Sequence, residues 1–161
     1  MKIIHSDQQI PDDIKPAIFL AGPTPRLSKP CPSWRPEALA ILEKEFAGTV
    51  LIPEYSTYRP MRSYDEQVEW EWKGLNACDV VVFWVPRCLE TMPAFTTNVE
   101  FGYYIDKKTS VYGRPDGSAK NTYLDWLYGK VTAKKPYDTL ADTLSAAIEL
   151  CRSGMPSCGN G

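Results

Sequence analysis

Histidine is nearly missing from this chain: His5 is the only one in 161 residues. Ser-His-Asp catalysis, Cys-His catalysis and histidine-rich metal sites would all have to recruit that single side chain. The cysteines, at 31, 78, 88, 151 and 158, are odd in number and show no C-x-x-C spacing. That argues against a disulfide framework or a zinc site and fits free thiols in a reducing compartment. Basic charge is not in excess either, since 18 Lys and Arg face 20 Asp and Glu for a net charge of −2. A nucleic-acid polymer is therefore not an expected partner. No apolar run approaches the ~20 residues that span a bilayer, and the first residues lack a signal-like apolar core. The expectation is a cytoplasmic protein with no membrane partner. Neither a G-x-G-x-x-G loop nor a Walker loop is present, so no dinucleotide or triphosphate site is implied. Carboxylates and tyrosines are left as the acid, base and nucleophile groups.

What is present centres on Asp79-Val-Val-Val-Phe-Trp-Val85. Seven residues with almost no polar member read as a strand buried on both faces, the habit of a central strand in a parallel sheet. Pro86 ends it, and about ten residues of loop lead to a helix carrying Glu100. Ligands of open α/β sheets bind beyond the carboxyl ends of the strands, so a carboxylate in the first turn of that helix is a candidate for chemistry. Thr97-Asn-Val-Glu100 also matches a capping box, which would make Glu100 purely structural. Both readings stay open on the sequence.

Around this strand the chain alternates. Lys2–Ile4 reads as a short edge strand, and Ala17–Ala21 as a buried strand stopped by Gly22-Pro-Thr-Pro25. Glycine there lets backbone N–H groups approach a ligand, although a plain Pro-rich turn fits as well. A helix over Trp34–Phe46 follows, with Ser33 as its N-cap, and then a strand at 50–52. The next helix, about Tyr64–Ala77, shows an apolar stripe of Tyr64, Val68, Trp72 and Leu75. Glu71 interrupts that stripe, where a carboxylate must be paired, hydrogen-bonded or raised in pKa. A strand at 109–112, a short helix at Asn121–Tyr128 and a last helix capped by Asp138 complete the pattern. This alternation predicts one α/β domain over residues 1–152, with a tail at 153–161.

Three segments, Ile18-Phe-Leu-Ala-Gly-Pro23, Glu71-Trp-Lys-Gly-Leu75 with Cys78-Asp-Val-Val-Val82, and Asn98-Val-Glu-Phe-Gly-Tyr103, occur in that order. In them the sequence resembles the nucleoside 2-deoxyribosyltransferase family. The resemblance implies a flavodoxin-like three-layer sandwich, a parallel sheet of about five strands flanked by helices. It implies Glu100 as nucleophile and Glu71 as the base-side carboxylate, where many members have aspartate. Gly22, Pro23, Asn98 and Tyr103 would contact substrate, and Asn121 would reach the site of a neighbouring subunit in a homo-oligomer. The partners implied are a nucleoside or nucleotide and a free nucleobase, without a cofactor. Ala94 stands where members carry a second base-side aspartate, and Ile18 where they carry an aromatic residue.

Three functions fit these residues: transfer of 2-deoxyribose between bases, hydrolysis of a nucleoside or nucleoside 5′-monophosphate, and nucleotide binding without turnover. Tyr55, Tyr58, Trp72 and Tyr103 are candidate pocket aromatics. Arg26, Lys29 and Arg35 near the Gly22 loop are candidate phosphate ligands, against the alternative of solvated surface charge.

Overall fold

A computed structural model describes residues 1–56 and 63–154. Tyr58 and the tail beyond residue 154 lie outside the described residues. Five strands form one sheet: β1 (Lys2–His5), β2 (Ala17–Ala21), β3 (Thr49–Ile52), β4 (Val80–Trp84) and β5 (Ser110–Gly113). They lie in the order β1-β3-β2-β4-β5, and every pairing is parallel. Phe19 is in register with Leu51 on one side and Val81 on the other, so β2 and β4 are interior, as their apolar runs predict. The half-exposed β1 is an edge strand.

Alternation along each strand divides the core in two. Ala17, Phe19 and Ala21 of β2 pack with Trp70, Leu75, Phe101 and Tyr128 in one cluster. Ile18 and Leu20 pack with Leu42, Leu144 and Ile148 in the other. One layer is therefore α2 (Tyr64–Ala77), α3 (Phe95–Tyr104) and α4 (Thr122–Thr132). The opposite layer is α1 (Arg35–Glu45) and α5 (Leu140–Ser153). This is the α/β three-layer sandwich expected, with a flavodoxin-like arrangement. The chain leaves β2 toward β3 through α1 on one face and returns to β4 through α2 on the other. The crevice beyond β2 and β4 is the kind of switch point where ligands bind.

Several local expectations need correction. The N-cap position of α1 is Trp34, one residue after the expected Ser33, whose hydroxyl accepts from Arg35 N at 3.2 Å and donates to the Glu54 carboxylate. The cap of α5 is Thr139, whose hydroxyl accepts from Asp142 N; Asp138 pairs with Arg114. The larger correction concerns α2. Its buried residues are Trp70, Gly74 and Leu75, while Tyr64, Val68 and Trp72 are exposed. Trp70 packs on Phe19 and donates its indole N–H to the Gln8 carbonyl at 2.8 Å. Gly74 lets the helix lie on the sheet, because a Cβ there would come within 2.8 Å of the Phe19 ring.

This register predicts that Trp70→Ala costs ~3–5 kcal/mol in urea unfolding, as loss of a buried tryptophan does. A cost below ~1 kcal/mol would restore the face expected from the apolar spacing.

Candidate active site

The carboxyl ends of β2, β3 and β4 open on a cavity of about 860 Å3. The loop after β2 (Gly22–Leu27), the residues after β3 (Pro53–Tyr55), the first two turns of α2 and the start of α3 line it. At Gly22 the backbone has φ +150°, and a Cβ would meet the Trp84 carbonyl oxygen at 2.2 Å. Only glycine lets the loop after β2 lie against the end of β4.

That loop is held by Arg35, which is 1% exposed. Its Nε and Nη2 each donate to the Leu20 carbonyl at 3.2 Å, and Nη2 also donates to Gly22 O at 2.9 Å. Nη1 donates to Glu54 Oε1 at 2.6 Å and to Thr24 Oγ1 at 3.2 Å. With its donors spent, Arg35 is not available to a phosphate, contrary to one expectation. Lys29 is paired with Glu90 at 3.2 Å, also outside the cavity lining. Arg26 does line the cavity, with its guanidinium 5.7 Å from the Phe95 ring centroid.

Glu71 and Glu100 meet in this cavity, within hydrogen-bonding reach of each other. Glu71 projects from the start of the third turn of α2, one turn on from Gln67, whose Nε2 donates to Glu71 Oε1 at 2.7 Å. Glu100 comes from the sixth residue of α3, the second turn and not the first. Helix α3 starts at Phe95 after Ala94, whose φ of 59° is left-handed, and no side chain caps it. Thr97 is therefore already inside the helix, and the capping-box reading of Glu100 falls. Burial raises the Glu100 pKa most, the Glu71 charge adds to it, and the value is pushed up to about 7. Burial also raises Glu71, opposed by its bonds to Gln67 and Glu100 and by the nearby Arg35 charge. Two desolvated carboxyls this close each favour the protonated form, and their titration belongs to the pair.

The remaining expected residues divide. Gly22 and Pro23 line the cavity, as does Tyr55. Asn98, Tyr103, Trp72 and Asn121 do not. Tyr103 and Trp72 pack on one another with ring centroids 5.3 Å apart. Asn98 Oδ1 accepts from Arg87 Nη2 at 2.6 Å. Asn121 was expected on an exposed segment but is 3% exposed. It accepts from Arg87 Nε at 3.0 Å and donates to Val85 O and Ser118 Oγ, all within its own chain. The turn residues around it signalled exposure, yet the buried Arg87 needs acceptors and draws Asn121 inward.

Sequence reasoning missed Glu54 and Gln67. A carboxylate directly after a buried strand was the available signal for Glu54. Position i−4 to Glu71 on the same helix was the signal for Gln67. Tyr64 and Val68, expected in the core, are cavity wall instead. Among the described residues no group of three or more His, Cys, Asp or Glu is placed to hold a metal ion. Nor is any described helix long and apolar enough to cross a membrane.

Residues 15–117 match the family model described as nucleoside 2-deoxyribosyltransferase like. The chain belongs to that family. The matched span holds Gly22, Glu71 and Glu100, whereas Asn121 lies beyond it. A comparison with curated proteins found no match. For a nucleoside 2-deoxyribosyltransferase-like protein, a carboxyl pair at the floor of a largely apolar cavity is suited to cleaving an N-glycosidic bond.

The raised pKa has a consequence for stability. The ordinary value is 4.5, so the unfolded chain ionises Glu100 at lower pH than the folded one. Stability is therefore lost as pH rises from about 4.5 through about 7. Glu100→Gln should raise Tm, and by more at pH 8 than at pH 5. A pH-independent difference would contradict the desolvated pair.

Proposed function

We propose that the protein transfers 2-deoxyribose between nucleobases through a covalent glycosyl-Glu100 intermediate. The observation that carries this reading is the desolvated Glu71–Glu100 pair, within hydrogen-bonding reach, in the cavity beyond β2 and β4. As the C1′–N bond of the donor breaks, positive charge builds at C1′ and a carboxylate stabilises it. Glu100, ionised, forms the C1′–O bond, while the leaving base keeps the bonding electron pair and takes the proton from Glu71. For the second half, an acceptor base attacks C1′ with a nitrogen lone pair, Glu100 leaves, and Glu71 takes the N–H proton back. The reaction requires the donor to part the two carboxyls and the proton to sit on Glu71, not on Glu100, whose pKa is raised to about 7 while the two face each other.

Transfer in place of hydrolysis needs a water-poor cavity. Its wall supports that, since Pro23, Pro25, Pro53, Pro93, Val68 and Phe95 offer little to bind water. Hydrolysis is the second reading, because the same glycosyl-Glu100 would react with any water admitted through the mouth.

The test is chromatography of each deoxynucleoside and its 5′-monophosphate, incubated with and without adenine or cytosine. Transfer gives a new nucleoside only with acceptor present; free deoxyribose with no new nucleoside would hand the reaction to hydrolysis. Glu100→Gln should lower base release at least ~10^3-fold, against ~10 to 10^2-fold for Glu71→Gln, which assists departure without attacking. Because the active form carries one proton, kcat/KM should be bell-shaped in pH, falling on the alkaline side as the pair loses it. A profile that keeps rising through pH 9 would remove the proton donor from the mechanism.

A further inference from the structure

Besides Arg35, one other cation is buried among the described residues: Arg87, 7% exposed, which the proposed reaction does not use. Arg35 has Glu54 beside it, whereas Arg87 pairs with no carboxylate among the described residues. Its guanidinium donates instead to three neutral oxygens. Nε donates to Asn121 Oδ1 at 3.0 Å, Nη1 to the Pro93 carbonyl at 3.0 Å and Nη2 to Asn98 Oδ1 at 2.6 Å. These acceptors belong to the N-cap of α4, to the loop just before α3 and to the fourth residue of α3. Helix N-termini carry partial positive charge, so two of them beside a desolvated cation cost stability. A neutral side chain would fill this place at lower electrostatic cost. What a guanidinium adds is its planar fork, which holds three acceptors in fixed directions from one rigid group.

That fork closes the loop between β4 and α3. Cys88 and Met92 form an antiparallel bridge, the Arg87–Pro93 bond adds the next rung, and Ala94 turns the chain into α3. No side chain caps α3, so the two Arg87 bonds tie its start to the end of β4. Farther along, Phe101 packs edge-on against Phe83 and Tyr112, with ring centroids 5.1 and 5.0 Å away. Apolar burial is non-directional, so it keeps α3 on the sheet without fixing how the helix is turned about its axis. Glu100 follows Asn98 by two residues, ~3 Å along the helix and ~200° around it. Arg87 therefore grips one side of α3 while Glu100 leaves from the other. The charges that act on Glu100 are those of Glu71 and Arg35, so Arg87 bears on it through the placement of the helix.

We propose that Arg87 is a positioning residue: its guanidinium locks the start of α3 against the end of β4 and so holds Glu100 facing Glu71 in the cavity. Its effect on rate rests on the reading of Glu100 as nucleophile; its effect on the carboxyl pair does not. A nucleophile displaced by ~1 Å can lose ~10^2-fold in rate while the substrate still binds. Arg87 touches neither the cavity lining nor either carboxyl, and acts on the reaction only through Pro93 and Asn98.

The test sets Arg87→Met and Arg87→Lys against Ser118→Ala. Methionine keeps the bulk and lysine the charge, and neither reproduces the fork. Ser118 belongs to the same cluster, its hydroxyl accepting from Arg87 N and donating to Val85 O, both at 2.8 Å, yet it bonds neither the guanidinium nor α3. Both Arg87 variants should lose ~10 to 10^2-fold in kcat with KM within ~3-fold of wild type. Ser118→Ala should lower Tm and leave kcat in place. Wild-type kcat in either Arg87 variant, or an equal loss in Ser118→Ala, would overturn the proposal. Asn98→Ala removes one arm of the fork at an exposed residue, and it serves where the Arg87 variants do not fold. It should lower kcat ~10-fold at unchanged KM. A raised KM at unchanged kcat would mark a substrate contact and overturn the role given to this arm. The second readout needs no reaction. Glu100→Gln should raise Tm more at pH 8 than at pH 5, and in the Arg87→Met or Asn98→Ala background that excess should shrink, because a displaced Glu100 is less desolvated and less coupled to Glu71. An unchanged excess would overturn the proposal. If Glu100→Gln keeps full base release, the nucleophile reading has failed, and this Tm readout still decides whether Arg87 places Glu100.

Discussion

The buried guanidinium of Arg35 is the constraint on which the site depends. Three strand-end carbonyls, one threonine hydroxyl and one carboxylate point at the same place, beyond the ends of β2 and β3, and Arg35 supplies donors to them from α1. A planar fork with five N–H donors can satisfy such a set, and a lysine ammonium with three cannot. Its single ionic partner, Glu54, is 20% exposed and is further held by the Ser33 hydroxyl. Desolvating the ion is costly, and it is compensated only because nearly every donor is engaged. In return the loop from Gly22 to Thr24 is tied down by these bonds and pressed against Trp84, with Trp34 also donating to the Pro23 carbonyl. Arg35 thus sets the cavity wall without entering the cavity.

Its charge acts at a distance as well. It lies near enough to oppose the rise in pKa of both Glu71 and Glu100. Burial and mutual repulsion favour protonation, while Arg35 favours ionisation. A fully ionised pair would have no acid for the departing base. A fully neutral pair would have no carboxylate for C1′. In the proposed transfer, two carboxyls set on two different helices divide these roles.

How much of this was legible in the sequence varies with the kind of signal. Strands β2 and β4 announce themselves, because five consecutive apolar residues between breakers fit little else than a strand covered on both faces. The parallel order followed from alternation with helices, and Glu100 from its place after the central strand. The buried face of α2 was not legible. Tyr64, Val68 and Trp72 obey helical spacing as well as a core stripe does, and only their surroundings distinguish cavity wall and open surface from core. Glu71 was found for a reason that was half right: it interrupts an apolar stripe, but that stripe borders the cavity. The start of α3 was hidden because Ala94 adopts a left-handed conformation without a polar cap, which no residue type there signals. Asn121 was misplaced because turn composition reports local backbone preference and says nothing of a buried arginine in need of acceptors.

The central claim is a covalent bond between Glu100 and the anomeric carbon. It is tested most directly by mixing the enzyme with a 2-fluoro-2-deoxyarabinosyl nucleoside and no acceptor base, then digesting and weighing the peptides. Fluorine at C2′ slows both halves of the reaction by destabilising the oxocarbenium-like transition states, so the intermediate accumulates if turnover of the glycosyl-enzyme is slowed the more. The account predicts one added fluorodeoxyarabinosyl group on the peptide containing Glu100, lost when adenine or cytosine is supplied. Base release with no labelled peptide, or label on the peptide containing Glu71, would contradict it.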